Sequence, residues 1–187
     1  MEMISSEWKC DEKGRYLEVI TDQAALCIVP STCPLISIRV MGEFQVGDFH
    51  MKVGNQDEFG LGVMAAQFDP ETMCWYIERG YFRAYRDADW IASYSTQAHC
   101  HNPTSAPWIE QEKGIAAIKS IIDDLGCLLN ALGRNLSLDK LRHTHRFNAA
   151  CEALATAKAQ RVLINELVKH NETEIARLKL ILESEDV

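Results

Sequence analysis

Apolar and polar residues alternate with a period of two through the first half of the chain. Ile36, Ile38 and Val40 alternate with Ser37, Arg39 and Met41, and Phe49, Met51 and Val53 with Asp48, His50 and Lys52. Met73, Trp75 and Ile77 repeat the pattern against Cys74, Tyr76 and Glu78. Successive side chains of a strand point to opposite faces, so each run predicts a strand with one buried and one wetter face. Arg15–Thr21 and Ala25–Pro30, separated at Asp22-Gln23, add two more, and Gly60–Phe68 a sixth, with Gly62 marking a bulge or close approach. The separators Val46-Gly47-Asp48, Gly54-Asn55-Gln56-Asp57 and Asp69-Pro70-Glu71 are turn chemistry. Links this short cannot carry parallel crossovers, so an antiparallel meander of about six strands is expected.

Residues 81–98 are aromatic-rich. Phe82, Tyr85, Asp89 and Ala92 fall on one helical stripe, which predicts a helix over 82–97; the competing pattern is a seventh strand at Tyr81–Arg86. His99 to Pro107 contains two prolines and reads as a connector.

Beyond the connector the period changes to 3.5–3.6. A helix starting near Pro107 carries Ile115, Ile118, Ile122, Leu125, Leu129 and Leu132 on one stripe and stops at Gly133. Ser137 is placed to cap the next helix, with Leu136 and Leu141 as a hydrophobic staple. That helix carries a heptad seam through Phe147, Ala150, Leu154, Ala157, Arg161, Ile164, Val168, Asn171, Ile175, Leu178 and Leu182. Asn171 with Glu174 could also cap a separate final helix, so the segment is either continuous or broken there. The fold class expected is therefore α+β: a sheet domain with a terminal helix at 1–98, a connector at 99–107, and a helical hairpin or coiled-coil region at 108–187. The seam from Ile164 to Leu182 outruns its hairpin partner, and a second copy of the chain is the simplest cover.

Composition narrows the function classes. Among 187 residues 47% are apolar and 25% charged, the balance of a globular protein. Seven cysteines, an odd count with no two-residue spacing, suit free thiols in a reducing compartment. Met1–Trp8 lacks the basic start and apolar core of a secretory signal, and no apolar run reaches membrane-spanning length, so a cytoplasmic location is expected. Residues 1–99 carry 8 Lys/Arg against 15 Asp/Glu, a net of −7, while residues 100–187 carry 11 against 12, a net of −1. The sheet half should repel nucleic acid and attract a basic protein surface.

Candidate chemistry is sparse. His99, Cys100 and His101 are metal-competent but lack the paired short spacings of a zinc site; Cys100 has no placed base or oxyanion donors to make it a nucleophile. His143 and His145 lie two apart on a helix and cannot converge on one ion. Gly60-Leu61-Gly62 lacks the third glycine and following helix of a dinucleotide loop. No cofactor is expected, and the chemistry leans away from an enzyme.

The reading favoured is a homodimeric interaction module whose acidic, aromatic segment (Tyr81, Tyr85, Asp87, Asp89 and Trp90) faces a protein partner, in one version as an inhibitor of a nucleic-acid-handling protein. Two alternatives stand beside it. One is a ligand-binding or enzymatic sheet domain with Trp75, Tyr85 and Trp90 lining a pocket between sheet and helix. The other is nucleic-acid binding through residues 134–161, where Arg134, Lys140, Arg142, Arg146, Lys158 and Arg161 face only Asp139 and Glu152, a local +4.

Overall fold

The computed structural model describes residues 1–12, 14–32, 36–53, 64–97 and 104–185. The chain divides into two units, residues 1–147 and 148–187. Among the described residues the first unit holds nine strands: β1 (Met3–Asp11), β2 (Gly14–Thr21), β3 (Ala24–Thr32), β4 (Ile36–Val46), β5 (Phe49–Val53), β6 (Met64–Asp69), β7 (Cys74–Arg79), β8 (Tyr81–Arg86) and β9 (Asp89–Ser95). Two helices follow, α1 (Trp108–Ala131) and α2 (Leu138–Glu185), linked by a 3₁₀ turn at Gly133–Leu136. The α+β class holds: an antiparallel sheet precedes a helical region.

All strand pairs are antiparallel, in the order β1-β2-β3-β4-β5-β8-β9, with β6 paired to β4 and β7 to β6. The meander therefore forks at β4. Its first half (Ser37–Val40) pairs β6 and its second half (Gly42–Val46) pairs β5, on the edge opposite β3. Gly42 stands at this junction, where a Cβ would sit 2.5 Å from the Ala25 carbonyl oxygen and 2.7 Å from Leu26 Cδ2, so a residue with a side chain is excluded.

The expectation of about six strands missed β1 and β9, and β8 is the seventh strand that stood as the competing pattern at Tyr81–Arg86. β1 is an edge strand whose ends are exposed, so burial imposes little alternation on its residues. The helix expected over 82–97 is instead the β8–β9 hairpin. The turn residues Asp87 and Ala88 have φ of 49° and 71°, the positive pair that a type I′ hairpin requires. Register pairs Ala84 with Ala92 and Tyr85 with Trp90. Ala92, read as part of a helical stripe, and Ala84 are core residues here, both fully buried, because α1 lies directly on them. Contact with a neighbouring layer overrode local propensity.

The alternation is realised in β2 to β5, whereas Met73 of the expected Met73–Ile77 run sits in the turn before β7 at positive φ and is exposed. Leu17 and Val19, Leu26 and Ile28, Ile38 and Val40, and Met51 and Val53 are all at most 1% exposed and share one apolar cluster. Gly47 (φ 56°) closes the two-residue β4–β5 turn, and Asp69 Oδ1 and Oδ2 accept from Glu71 N–H (2.9 Å) and the Thr72 hydroxyl (2.7 Å) in the β6–β7 turn. Those bonds hold the Asp69 carboxyl below its ordinary pKa.

Helix α1 starts after Pro107 as expected and is followed by Gly133 at positive φ. Its buried stripe is Gln111, Gly114, Ile118, Ile121, Leu125, Leu128 and Leu129, rotated from the strict heptad pattern. The reason is its partner: α1 packs on β5, β7, β8 and β9, and a helix on a sheet follows the 3.6 period. This corrects the helical hairpin, in which the α1 stripe was to face the following helix. Asn130 ties α1 to the β7 edge by accepting from Trp75 N–H (2.8 Å) and donating to the Trp75 carbonyl (3.2 Å). Buried Gln111 donates to the carbonyls of Thr104 (3.2 Å) and Ala106 (2.7 Å), pinning the segment that leads into α1.

Helix α2 runs unbroken past Asn171. Leu136 and Leu141, three and two per cent exposed, join the core on either side of its start, as a staple would, and the Ser137 carbonyl accepts the Leu141 N–H at 3.0 Å. No helix among the described residues is long and apolar enough to cross a membrane.

Candidate interaction surfaces

Three surfaces collect the residues that chemistry singles out. The first is the seam of α2. Ala150, Leu154, Ala157, Arg161, Ile164, Val168, Asn171, Ile175 and Leu178 are all exposed. Leu154, Ile164, Val168, Ile175 and Leu178 are exposed by 47–59%, a large apolar surface for one helix. Leu167 (60%) and Ile181 (40%) sit one position before Val168 and Leu182, so the stripe widens beyond the two seam positions per heptad. Sequence reading drew the seam and missed this widening, although both residues are visible in the heptad. The seam's side chain at Leu182 lies outside the described residues.

The second surface is the β8–β9 hairpin. Tyr81, Arg83 and Tyr85 alternate with buried Phe82 and Ala84, so the two tyrosines share the outer face. Trp90 is the cross-strand partner of Tyr85 and is 36% exposed, its indole N–H donating to the Ala92 carbonyl at 3.1 Å. Asp87, in the turn, and Asp89, which follows it, are exposed. The predicted partner-binding residues therefore belong to one supersecondary unit. Sequence reading overlooked the cations among them: the Arg83 guanidinium lies 5.1 Å from the Trp90 ring, and Arg86 pairs with Glu110 of α1 at 2.5 Å. Lys113 (2.9 Å) and Arg86 together hold the Glu110 carboxyl below its ordinary pKa. A groove of about 620 Å³ opens between Arg86–Ile91 and Thr104–Pro107. Of the aromatics expected to line a pocket, Trp90 borders this groove, whereas Trp75 is 7% exposed and packs edge-on against Phe68 at 5.5 Å.

The third surface joins β1, β2 and the first turns of α2. Lys140, His143 and Thr144 fall on one side of the helix, at spacings of three and four residues, and face Trp8, Lys9 and Arg15 across a groove of about 460 Å³. The Asn135 amide donates to the Ser6 hydroxyl (2.9 Å), the Lys140 ammonium lies 5.4 Å from the Trp8 ring, and the Arg15 guanidinium lies 4.2 Å from the Phe147 ring. Lys9 pairs with Glu18, which raises the lysine pKa. Lys140 was visible in the basic 134–161 stretch; Lys9 and Arg15 were not, because only tertiary structure brings β1 and β2 to it. Arg134, Arg142, Arg146, Lys158 and Arg161 are exposed.

The candidate metal ligands His99, Cys100 and His101 lie outside the described residues, as does Gly62. Among the described residues no cluster of three or more His, Cys, Asp or Glu is placed to hold a metal ion. No family model, curated protein or solved structure matches the chain.

Proposed function

We propose that the protein is a non-enzymatic interaction module that self-associates as a homodimer through the α2 seam, with the β8–β9 hairpin free to meet a protein partner with a basic surface. The observation that carries this reading is the exposed apolar stripe on α2. Fully burying a Leu, Ile or Val side chain contributes about 1.5–3 kcal/mol, and these residues already bury about half of theirs, which leaves about 1 kcal/mol each. Five seam residues plus Leu167 and Ile181 in two copies total about 14 kcal/mol, against an association cost of about 4–15 kcal/mol. The stripe is therefore large enough to offset the cost of association over most of that range. Asn171 inside the seam would fix register and strand number at some cost in affinity.

A cytoplasmic setting agrees with the five described cysteines, all of which are free thiols. The excess acid of residues 1–99 supports a basic partner, including a protein that itself handles nucleic acid. Sedimentation velocity over about 0.1–100 μM tests the association. The expected result is a monomer–dimer equilibrium abolished by Ile164→Asp with Ile175→Asp. A monomer throughout that range removes the proposal.

A further inference from the structure

The exposed stripe on α2 is not uniform along its length. Two of its layers are polar, Arg161 and Asn171, and they stand five residues to either side of residue 166. Charge is uneven too. Residues 148–165 carry 2 Lys/Arg against 1 Asp/Glu, a net of +1, whereas residues 166–187 carry 3 against 6, a net of −3. Lys158 and Glu172 flank the stripe on the same side, at the position that follows Ala157 and Asn171 in each heptad. Among the described residues Lys158, Arg161 and Glu172 are exposed and hold no ion pair, while Glu174 is bound by Arg177 of its own helix at 2.7 Å.

We propose that two copies of α2 pack antiparallel, with the two-fold axis level with residue 166; this rests on the self-association proposed above. In that register Arg161 meets Asn171 of the second copy, and the two polar layers satisfy each other, the amide oxygen accepting from the guanidinium. Every other layer from Leu154 to Leu178 sets apolar on apolar: Ile164 on Val168, Ala157 on Ile175 and Leu154 on Leu178. Ala157 against Ile175 matches a small residue to a large one, as a filled interface requires. Leu167, beside the stripe and exposed, meets its own copy near the axis. Lys158 comes level with Glu172, and the positive part of each helix lies along the negative part of the other. A slide of one heptad either way sets Arg161 against Ile164 or Leu178 and strands a guanidinium in an apolar layer. A parallel pair stacks Arg161 on Arg161. Its flanking opposite-charge contact, Glu174 with Lys179, would compete with the Arg177 that Glu174 already holds.

The test is sedimentation velocity on the full chain carrying Lys158→Glu, Glu172→Lys, or both, at two exposed helix positions. Each single exchange turns two opposite-charge contacts per dimer into two like-charge ones and should raise the dimer Kd about four- to thirtyfold. The double variant regains both contacts and should return to within about threefold of the parent. An equimolar mixture of the two single variants should also associate as the parent does, because the heterodimer regains both contacts. A parallel pair sets Lys158 against Ala153 and Glu172 against Leu167, so neither exchange would matter. An assembly indifferent to the single exchanges, or a double variant as weak as the singles, would overturn the antiparallel arrangement alone. A parent monomeric throughout would remove self-association and this arrangement with it.

Discussion

Gly114 is a point of close approach between α1 and the sheet. A Cβ placed on it would lie 2.8 Å from the Ala92 methyl and 3.5 Å from both the Ala84 methyl and Ile91 Cγ2. The nearest neighbour is a Cβ fixed to a strand backbone, so no rotamer change relieves the overlap and the helix or the hairpin must move. Gly114→Ala gains about 1 kcal/mol of helix propensity, but overpacking a filled core costs about 1–3 kcal/mol. With so rigid a neighbour the upper part of that range applies, and a net loss of about 1–2 kcal/mol is expected. Ala92→Gly removes the opposing methyl and alone costs about 1 kcal/mol, from backbone entropy in a strand and lost burial. In the double variant the overlap is gone and the helix gain remains, so stability should return to within about 1 kcal/mol of the parent. Equilibrium urea unfolding, followed by tryptophan fluorescence, reads the cycle; at a slope of about 2 kcal/mol per molar urea the Gly114→Ala midpoint should fall by about 0.5–1 M. The reasoning is refuted if Gly114→Ala is as stable as the parent, or if the two substitutions add to within about 0.5 kcal/mol.

Two other outcomes follow from local geometry. Ala88 holds φ of 71° in the β8–β9 turn, a conformation that costs an L-residue about 1–2 kcal/mol; Ala88→Gly should raise the urea midpoint by the equivalent of about 1 kcal/mol, and a lowered midpoint would show the strain to be absent. Burial, assisted by the charges of Asp11 and Glu18, pushes the Cys27 thiol up to about 11. In the unfolded chain that thiol ionises near 9, so its contribution to stability is present below about pH 9 and declines as pH rises towards 11. Cys27→Ala should show a shallower alkaline decline, and an alkylating reagent at pH 8 should modify Cys10, Cys74 and Cys127 before Cys27. Equal rates would contradict the burial argument.

Residue order alone determined what is periodic and locally signalled. Phe49, Met51 and Val53 can bury together only on a strand, and Gly47 and Asp69 mark turns through their own backbone and side-chain chemistry. Pro107 and Gly133 bracket α1 because one lacks an N–H and the other tolerates positive φ. The apolar spacing along α2 was likewise legible, since it is a property of sequence, and those residues stand exposed on one continuous helix. Tertiary structure decided everything that depends on which surface meets which. Ala84 and Ala92 are strand residues because α1 presents a glycine to them, and no local preference encodes that meeting. The α1 stripe serves a sheet instead of a helix, and one edge of β4 serves two strands. The groove beside β1 and β2 draws on Trp8, Lys9 and Arg15 at one end of the chain and on Lys140 and His143 far along it. Short-range chemistry writes itself into neighbouring residues, whereas long-range contact is selected by the packing of the whole core, and that is why the sequence showed the elements while only the fold assembled the sites.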